Sequence, residues 1–145
     1  MTIWFQTPSE IDFWGIYERG IPNSERIVFR PLIPIELGRY FVAVAVRQPD
    51  GQACASMFDN AFFFPDVVVE PPTWVIIYTG RGKSKVTIEP YTRDPVHALF
   101  WQRDVTIFNA PNLVAYIGRL DALHISPEPP KSIDPSMRRL PSPSK

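Results

Sequence analysis

Cysteine, histidine and net charge are all scarce in this chain of 145 residues, and each shortage excludes a kind of function. Cys54 is the single cysteine, so no internal disulfide and no thiolate metal cluster can form. The two histidines, His97 and His124, do not have metal-ligand spacing. Fifteen basic residues balance fifteen acidic ones, so no overall field draws the chain to nucleic acid or an anionic membrane. We therefore predict no metal and no cofactor.

Long apolar runs are also missing. No window approaches the roughly 18 uninterrupted apolar residues of a membrane helix. The first residues have neither the basic region nor the apolar region of a signal peptide. We expect a cytoplasmic protein with no membrane contact.

Proline, in contrast, is abundant, with seventeen residues. Each proline removes a backbone donor and fixes φ, which favours short strands joined by stiff turns over long helices. Six of the prolines lie in residues 127–145, a stretch too polar to bury itself. We predict a folded domain over residues 1–126 and a proline-rich tail over residues 127–145.

Short apolar runs between turn residues indicate an all-β fold. Pro49–Gly51 has turn chemistry and predicts a hairpin between Tyr40–Arg47 and Ala53–Phe58. Residues 8–17 fit a strand or a helix, and Gly15 favours the strand. Nine or ten short strands at this spacing predict a β-sandwich or barrel. The less distinct runs include Ile3–Phe5, Lys85–Glu89, which we expect to pair back on Trp74–Tyr78, and Ala122–Ile125.

A basic loop, residues 79–85, follows the Trp74–Tyr78 strand. Gly82-Lys83-Ser84 invites comparison with a phosphate-binding loop, but Ile77 stands where that loop requires glycine. One interpretation is a soluble hairpin tip whose lysines discourage edge pairing. The other is an anion or nucleic-acid contact, weak and sensitive to salt because the chain has no net positive charge. The residues of that contact are Arg81, Lys83, Lys85 and Arg103, with Trp101 adding a stacking surface.

The aromatic residues predict an interaction surface. Three consecutive phenylalanines, Phe62–Phe64, cannot all face one core, because side chains alternate along a strand. Phe63 or its two neighbours must therefore face elsewhere, and exposed aromatic residues mark protein–protein interfaces. The candidates for an interface with a protein partner or a second copy are Trp4, Trp14, Phe63 and Trp101.

Catalytic signatures are missing. No pair of acids is spaced for general acid–base work, and neither Ser56 nor Ser84 lies in a glycine elbow. We therefore predict that the chain is not an enzyme. A ligand-binding or hydrolytic protein with a pocket between two sheets is the remaining alternative.

Three stretches follow one another along the chain: Glu25–Arg30 with Ile35–Leu37 and Tyr40; Phe64–Asp66 with Pro71-Pro72 and Trp74–Gly80; and Leu99–Trp101 with Phe108-Asn109 and Leu113–Leu120. Taken in this order, they resemble the lamin-tail domain. That family has an immunoglobulin-like β-sandwich fold, and its members are accessory modules whose partners vary. The resemblance implies an immunoglobulin-like β-sandwich of about 8–10 strands and a non-catalytic role in protein binding or assembly.

Overall fold

The computed structural model describes residues 8–50, 53–122, 124 and 126–127, with the backbone alone for residues 53–59. It is all-β, as the sequence predicts. A short 3-10 helix covers Leu37–Arg39. The strands are β1 (Ile11–Tyr17), β2 (Arg26–Pro31), β3 (Ile35–Glu36), β4 (Tyr40–Arg47), β5 (Ala53–Phe63), β6 (Val68–Val69), β7 (Trp74–Tyr78), β8 (Lys85–Ile88), β9 (Pro95–Phe100) and β10 (Leu113–Arg119).

Two sheets enclose one core. The larger sheet has the order β1-β2-β7-β9-β8, the smaller has the order β10-β4-β5, and β3 pairs with β6 separately. Phe29 and Ile77 of the larger sheet lie in the same buried cluster as Val44 of the smaller one. Every second residue of β7 is buried, as expected for a strand with one face on a core.

Most of the ambiguous segment at residues 8–17 forms the strand β1, Ile11–Tyr17, which pairs antiparallel with β2. Gly15 explains why the extended form wins. Its φ of 101° lies where residues with a side chain are rarely found, and it follows an irregularity in the pairing after Phe13.

The predicted hairpin between β4 and β5 is confirmed, with Val44 opposite Met57. The predicted pairing of Lys85–Glu89 with Trp74–Tyr78 is wrong. β9 lies between them, parallel to β7 and antiparallel to β8. The physical reason is burial: three residues of β9 are buried, whereas all four residues of β8 are exposed. The more apolar strand therefore takes the interior position and β8 becomes an edge.

The ends of the chain give a mixed outcome. Ile3–Phe5 and nearly all of the proline-rich tail lie outside the described residues. Ala122 and His124, the described members of the predicted Ala122–Ile125 strand, are not in a strand, and β10 ends at Arg119. No helix among the described residues is long and apolar enough to cross a membrane.

The two long edges of the sandwich differ. On one side, the Arg19 guanidinium donates a hydrogen bond to the Leu113 carbonyl (2.6 Å), and Arg119 donates to the Glu10 carboxylate (2.7 Å). These contacts tie the β1 side of the larger sheet to β10 of the smaller. On the other side, β8 pairs with β9 alone among the described strands. The larger sheet thus has one tethered edge and one open edge.

Candidate functional site: the open edge at Lys85–Ile88

The open edge exposes apolar side chains on the core-facing side of the sheet. Val86 lies opposite His97, and His97 lies opposite Val75, which is fully buried in the core. Because directly opposed residues share a face, Val86 and Ile88 point to the same side as the core. They are nonetheless 67% and 65% exposed. The larger sheet therefore extends past the part of its inner face that packs into the core.

On its outer side, the backbone of β8 also has bonding groups that no strand among the described residues pairs with. The Glu89 amide donates to the Asp94 carbonyl (2.8 Å), so residue 89 bonds toward β9. In an antiparallel pair this orientation alternates, so Thr87 also bonds inward while the N–H and C=O groups of Val86 and Ile88 point away from β9. Pro95, which has no N–H, lies opposite Ile88, where β9 needs no donor toward β8.

Further exposed groups adjoin this strand. Tyr91, 93% exposed, follows β8 in a turn that the Glu89 carboxylate stabilises by accepting the amides of Tyr91 (2.8 Å) and Thr92 (2.5 Å). These bonds, that of Thr92 foremost, lower the pKa of Glu89. Burial lowers the pKa of His97, which lies beside Val86. The open edge at neutral pH is therefore apolar in its centre, with Lys85 at one end and an anionic Glu89 at the other.

The predicted anion-binding loop has a different local structure. Arg81 donates to the Asp104 carboxylate (2.6 Å), and this pairing lowers the pKa of Asp104. The Gly82 amide donates to the Gln102 side chain (3.2 Å), which donates back to the Gly82 carbonyl (2.6 Å). The Gly82 amide is thus occupied rather than available to a phosphate. Lys83 and Lys85 are exposed to solvent.

The glycine of that loop has a packing role. A Cβ atom on Gly82 would lie 2.5 Å from ring carbons of Phe100, so the loop backbone lies directly against that ring. Phe100 itself stacks on Tyr78, with ring centroids 5.2 Å apart. Close packing against the Phe100 ring therefore explains the glycine, and no ligand is needed to account for it.

The Arg103 side chain contacts Trp101, and its backbone amide donates to the Thr79 carbonyl at the start of the basic loop (3.0 Å). The Arg103 guanidinium donates to the Asn60 side chain (2.5 Å) and lies 5.8 Å from the centre of the Trp101 ring. Trp101 is only 8% exposed and belongs to the core cluster. The prediction of Trp101 as an exposed interface or stacking residue is corrected, because the ring fills the interior beside Phe62.

The remaining aromatic candidates do not form one surface. Phe62 lies opposite the buried Val42, so Phe63 faces away from the core on the smaller sheet, where it is exposed. Trp14 is half exposed and contacts Trp74 edge to face on the larger sheet (5.2 Å). The expected alternation along Phe62–Phe64 is confirmed. Trp4 lies outside the described residues.

Trp14 is held by a local network. The Asp12 carboxylate accepts the indole N–H of Trp14 (2.9 Å) and the Nε of Arg30 (2.8 Å), whose guanidinium lies 4.9 Å from the centre of the Trp74 ring. The Trp14 and Arg30 hydrogen bonds together lower the pKa of Asp12. These polar groups bond to one another, so the cluster is explained as surface packing.

A polar cleft of about 430 Å³ lies at the tethered edge. The Tyr40 hydroxyl donates to the Glu10 carboxylate (2.5 Å), which also accepts from Arg119. Burial, and next the Glu10 hydrogen bond, raises the pKa of Tyr40 to about 12. Arg39 and Arg119, which line the cleft, both donate to Asp121 (3.1 and 2.7 Å), so both guanidinium groups are already paired with a carboxylate. No group of three acidic, histidine or cysteine residues in the described part of the chain could hold a metal ion.

Sequence reasoning did not identify the structural role of Glu25. Glu25 is buried, with only 1% of its surface exposed, and its carboxylate accepts four hydrogen bonds. The donors are the Thr79 hydroxyl (2.9 Å) and the backbone amides of Gly20 (2.7 Å), Ile107 (2.7 Å) and Phe108 (3.1 Å). An acid placed directly before an apolar strand was the available signal, but the donors come from distant segments.

Comparisons of the chain with models of protein families, with curated proteins and with solved structures found no match. The lamin-tail resemblance and its immunoglobulin-like fold therefore stay predictions.

Proposed function

We propose that this protein is a non-catalytic protein–protein interaction module whose binding surface is the open edge formed by β8 with Val86, Ile88 and Tyr91. The observation that carries the proposal is the combination of outward-pointing backbone groups with two exposed apolar side chains on one strand. An added strand would bond to these backbone groups and cover the two apolar side chains.

An edge strand with free backbone groups and exposed apolar side chains can pair with other chains and aggregate. Proteins usually protect an edge strand with charges, proline, bulges or a covering segment. Among the described residues only Lys85 protects β8 in this way, and its side chain lies on the face opposite to Val86. Strand addition is a common mode of protein recognition, in which backbone bonds give affinity and alternate side chains give specificity. An accessory, partner-binding role is also what the lamin-tail resemblance implies, together with its immunoglobulin-like sandwich.

The two alternatives receive less support from the geometry. Anion binding needs free donors, whereas Arg81 is paired with Asp104 and the Gly82 amide with Gln102. A hydrolytic or ligand-binding site needs converging groups available to a substrate, whereas Arg119 of the polar cleft is already paired with both Glu10 and Asp121. The interaction role is therefore the better supported function.

Photocrosslinking in cells that express the protein tests this proposal. Val86 is replaced by p-benzoylphenylalanine, and the matched control carries the same group at Val68, which is 64% exposed but lies in the short pair β3–β6. We expect crosslinked protein adducts from position 86 and few from position 68. Adducts that are absent at position 86, or equal at both positions, would contradict the proposal.

A further inference from the structure

We infer that the partner of β8 is β8 of a second copy of this chain, paired antiparallel about a two-fold axis at Thr87. This inference rests on the proposed function and specifies the partner and the register. The pairing would join the larger sheets of two copies into one continuous sheet, an isologous contact in which each copy presents the same surface.

The orientation of the backbone permits this pairing. Around a two-fold axis perpendicular to the sheet, the residue on the axis must face itself, so Thr87 opposite Thr87 places Val86 of one copy opposite Ile88 of the other. Val86 and Ile88 are the residues whose N–H and C=O groups point away from β9. Both can therefore exchange backbone hydrogen bonds with the second copy, while Thr87 keeps its bonds to β9.

The side chains of β8 are self-complementary in this register. Val86 meets Ile88, which brings four exposed β-branched side chains together on the core-facing side. On the other face Lys85 meets Glu89, an opposite-charge pair that occurs twice by symmetry, and the two Thr87 side chains meet on the axis. Aliphatic, Thr–Thr and opposite-charge pairs across strands all stabilise sheets.

The neighbouring registers are poorer. With Val86 on the axis, Ile88 would lie opposite Ser84, and Lys85 opposite Thr87, so the apolar and charged pairs are lost. With Ile88 on the axis, Val86 would lie opposite Pro90, which has no N–H to donate. The Thr87 register alone among the three satisfies the backbone, apolar and charged groups of β8 together.

Segments of the same chain are less suitable occupants. Residue 8 leads into β1, at the edge of the sheet opposite to β8 and four strand spacings of about 4.8 Å away. A segment that precedes residue 8 would have to cross the whole sheet before it could pair with β8. Residues 128–145 contain five prolines, each of which removes a donor that an added strand needs.

The contact is small, because β8 has four residues. Interfaces of this class are weak and transient, so we expect a dimer with a dissociation constant on the order of micromolar or above. Sedimentation velocity over a range of concentrations should show a reversible monomer–dimer equilibrium.

Cysteine crosslinking tests the partner and the register in purified full-length protein. Every variant carries Cys54→Ser, and a single new cysteine is placed by Thr87→Cys or Val86→Cys. Facing residues in a non-hydrogen-bonded pair have Cα atoms about 4.5 Å apart, within disulfide range, whereas two Val86 residues would be about 7 Å or more apart. We expect mild oxidation to crosslink the Thr87→Cys protein and to leave the Val86→Cys protein without a crosslink.

Charge reversal gives an independent test without cysteine chemistry. Lys85→Glu places like charges together twice per dimer and should weaken association roughly tenfold. Lys83→Glu makes the same change of charge but faces no acid in this register, so the dissociation constant should change by less than about twofold.

Each result has one meaning. Crosslinking through Val86→Cys, or a larger effect at Lys83 than at Lys85, would overturn the register. A protein that stays monomeric at all concentrations and forms no crosslink would overturn self-pairing. That conclusion holds whether β8 is then open or covered by a segment of its own chain. In that case, crosslinked adducts formed in cells at position 86 and having the mass of a different protein would still support the interaction role.

Discussion

At the scale of single residues, Glu25 shows most clearly what holds this fold together. Its carboxylate accepts hydrogen bonds from Gly20, from Thr79 at the end of β7, and from Ile107 and Phe108 in the segment before β10. A carboxylate has two acceptor oxygens and can accept all four bonds. An amide or a hydroxyl group in its place would direct one of its own hydrogens toward one of these donors. Glu25 therefore joins three segments that are distant in sequence.

We predict that Glu25→Ala lowers the free energy of unfolding by about 3 kcal/mol or more, because each buried donor left without an acceptor costs about 1–3 kcal/mol. Urea unfolding followed by tryptophan fluorescence measures the change. Glu36→Ala, at an exposed acid, is the control and should change the free energy by less than about 0.5 kcal/mol. Equal losses in the two variants would show that the Glu25 bonds contribute no stability.

At the scale of secondary-structure elements, the sequence predicted what depends on local pattern. The all-β class, the strand at residues 8–17 and the β4–β5 hairpin follow from alternation, Gly15 and the Pro49–Gly51 turn, and all are confirmed. The pairing of β8 was wrong because the order of strands depends on which one buries more surface, a comparison between distant segments. Alternation predicted that Phe63 or its two neighbours face away from the core, and the structure shows that Phe63 does; alternation could not show that Trp101 is buried.

A second prediction at this scale concerns the basic loop at residues 79–85. Gly82→Ala should lower the free energy of unfolding by about 1–3 kcal/mol, because the new methyl group would overlap the Phe100 ring and force the loop to move. Ser84→Ala, at an exposed position of the same loop, is the control and should be nearly neutral. Thermal unfolding compares the two. A Gly82→Ala protein as stable as the control would mean that the loop does not pack on Phe100.

At the scale of the whole molecule, the sandwich is asymmetric. The β1 side of the larger sheet is tied to β10 by Arg19 and Arg119, whereas β8 ends the sheet with exposed Val86 and Ile88. Sequence reasoning anticipated an interaction surface but assigned it to aromatic residues that the fold separates or buries. The edge itself could not be found from the sequence, because β8 becomes an edge only after β9 takes the place beside β7.

Hydrogen exchange of the β8 amides, followed by NMR at low and high protein concentration, tests the account most directly. The amides of Val86 and Ile88 point outward, so we predict fast exchange in dilute protein and protection that grows as concentration rises. The Thr87 and Glu89 amides bond toward β9 and should be protected at both concentrations. Fast exchange of Val86 and Ile88 at every concentration would contradict self-pairing through this edge.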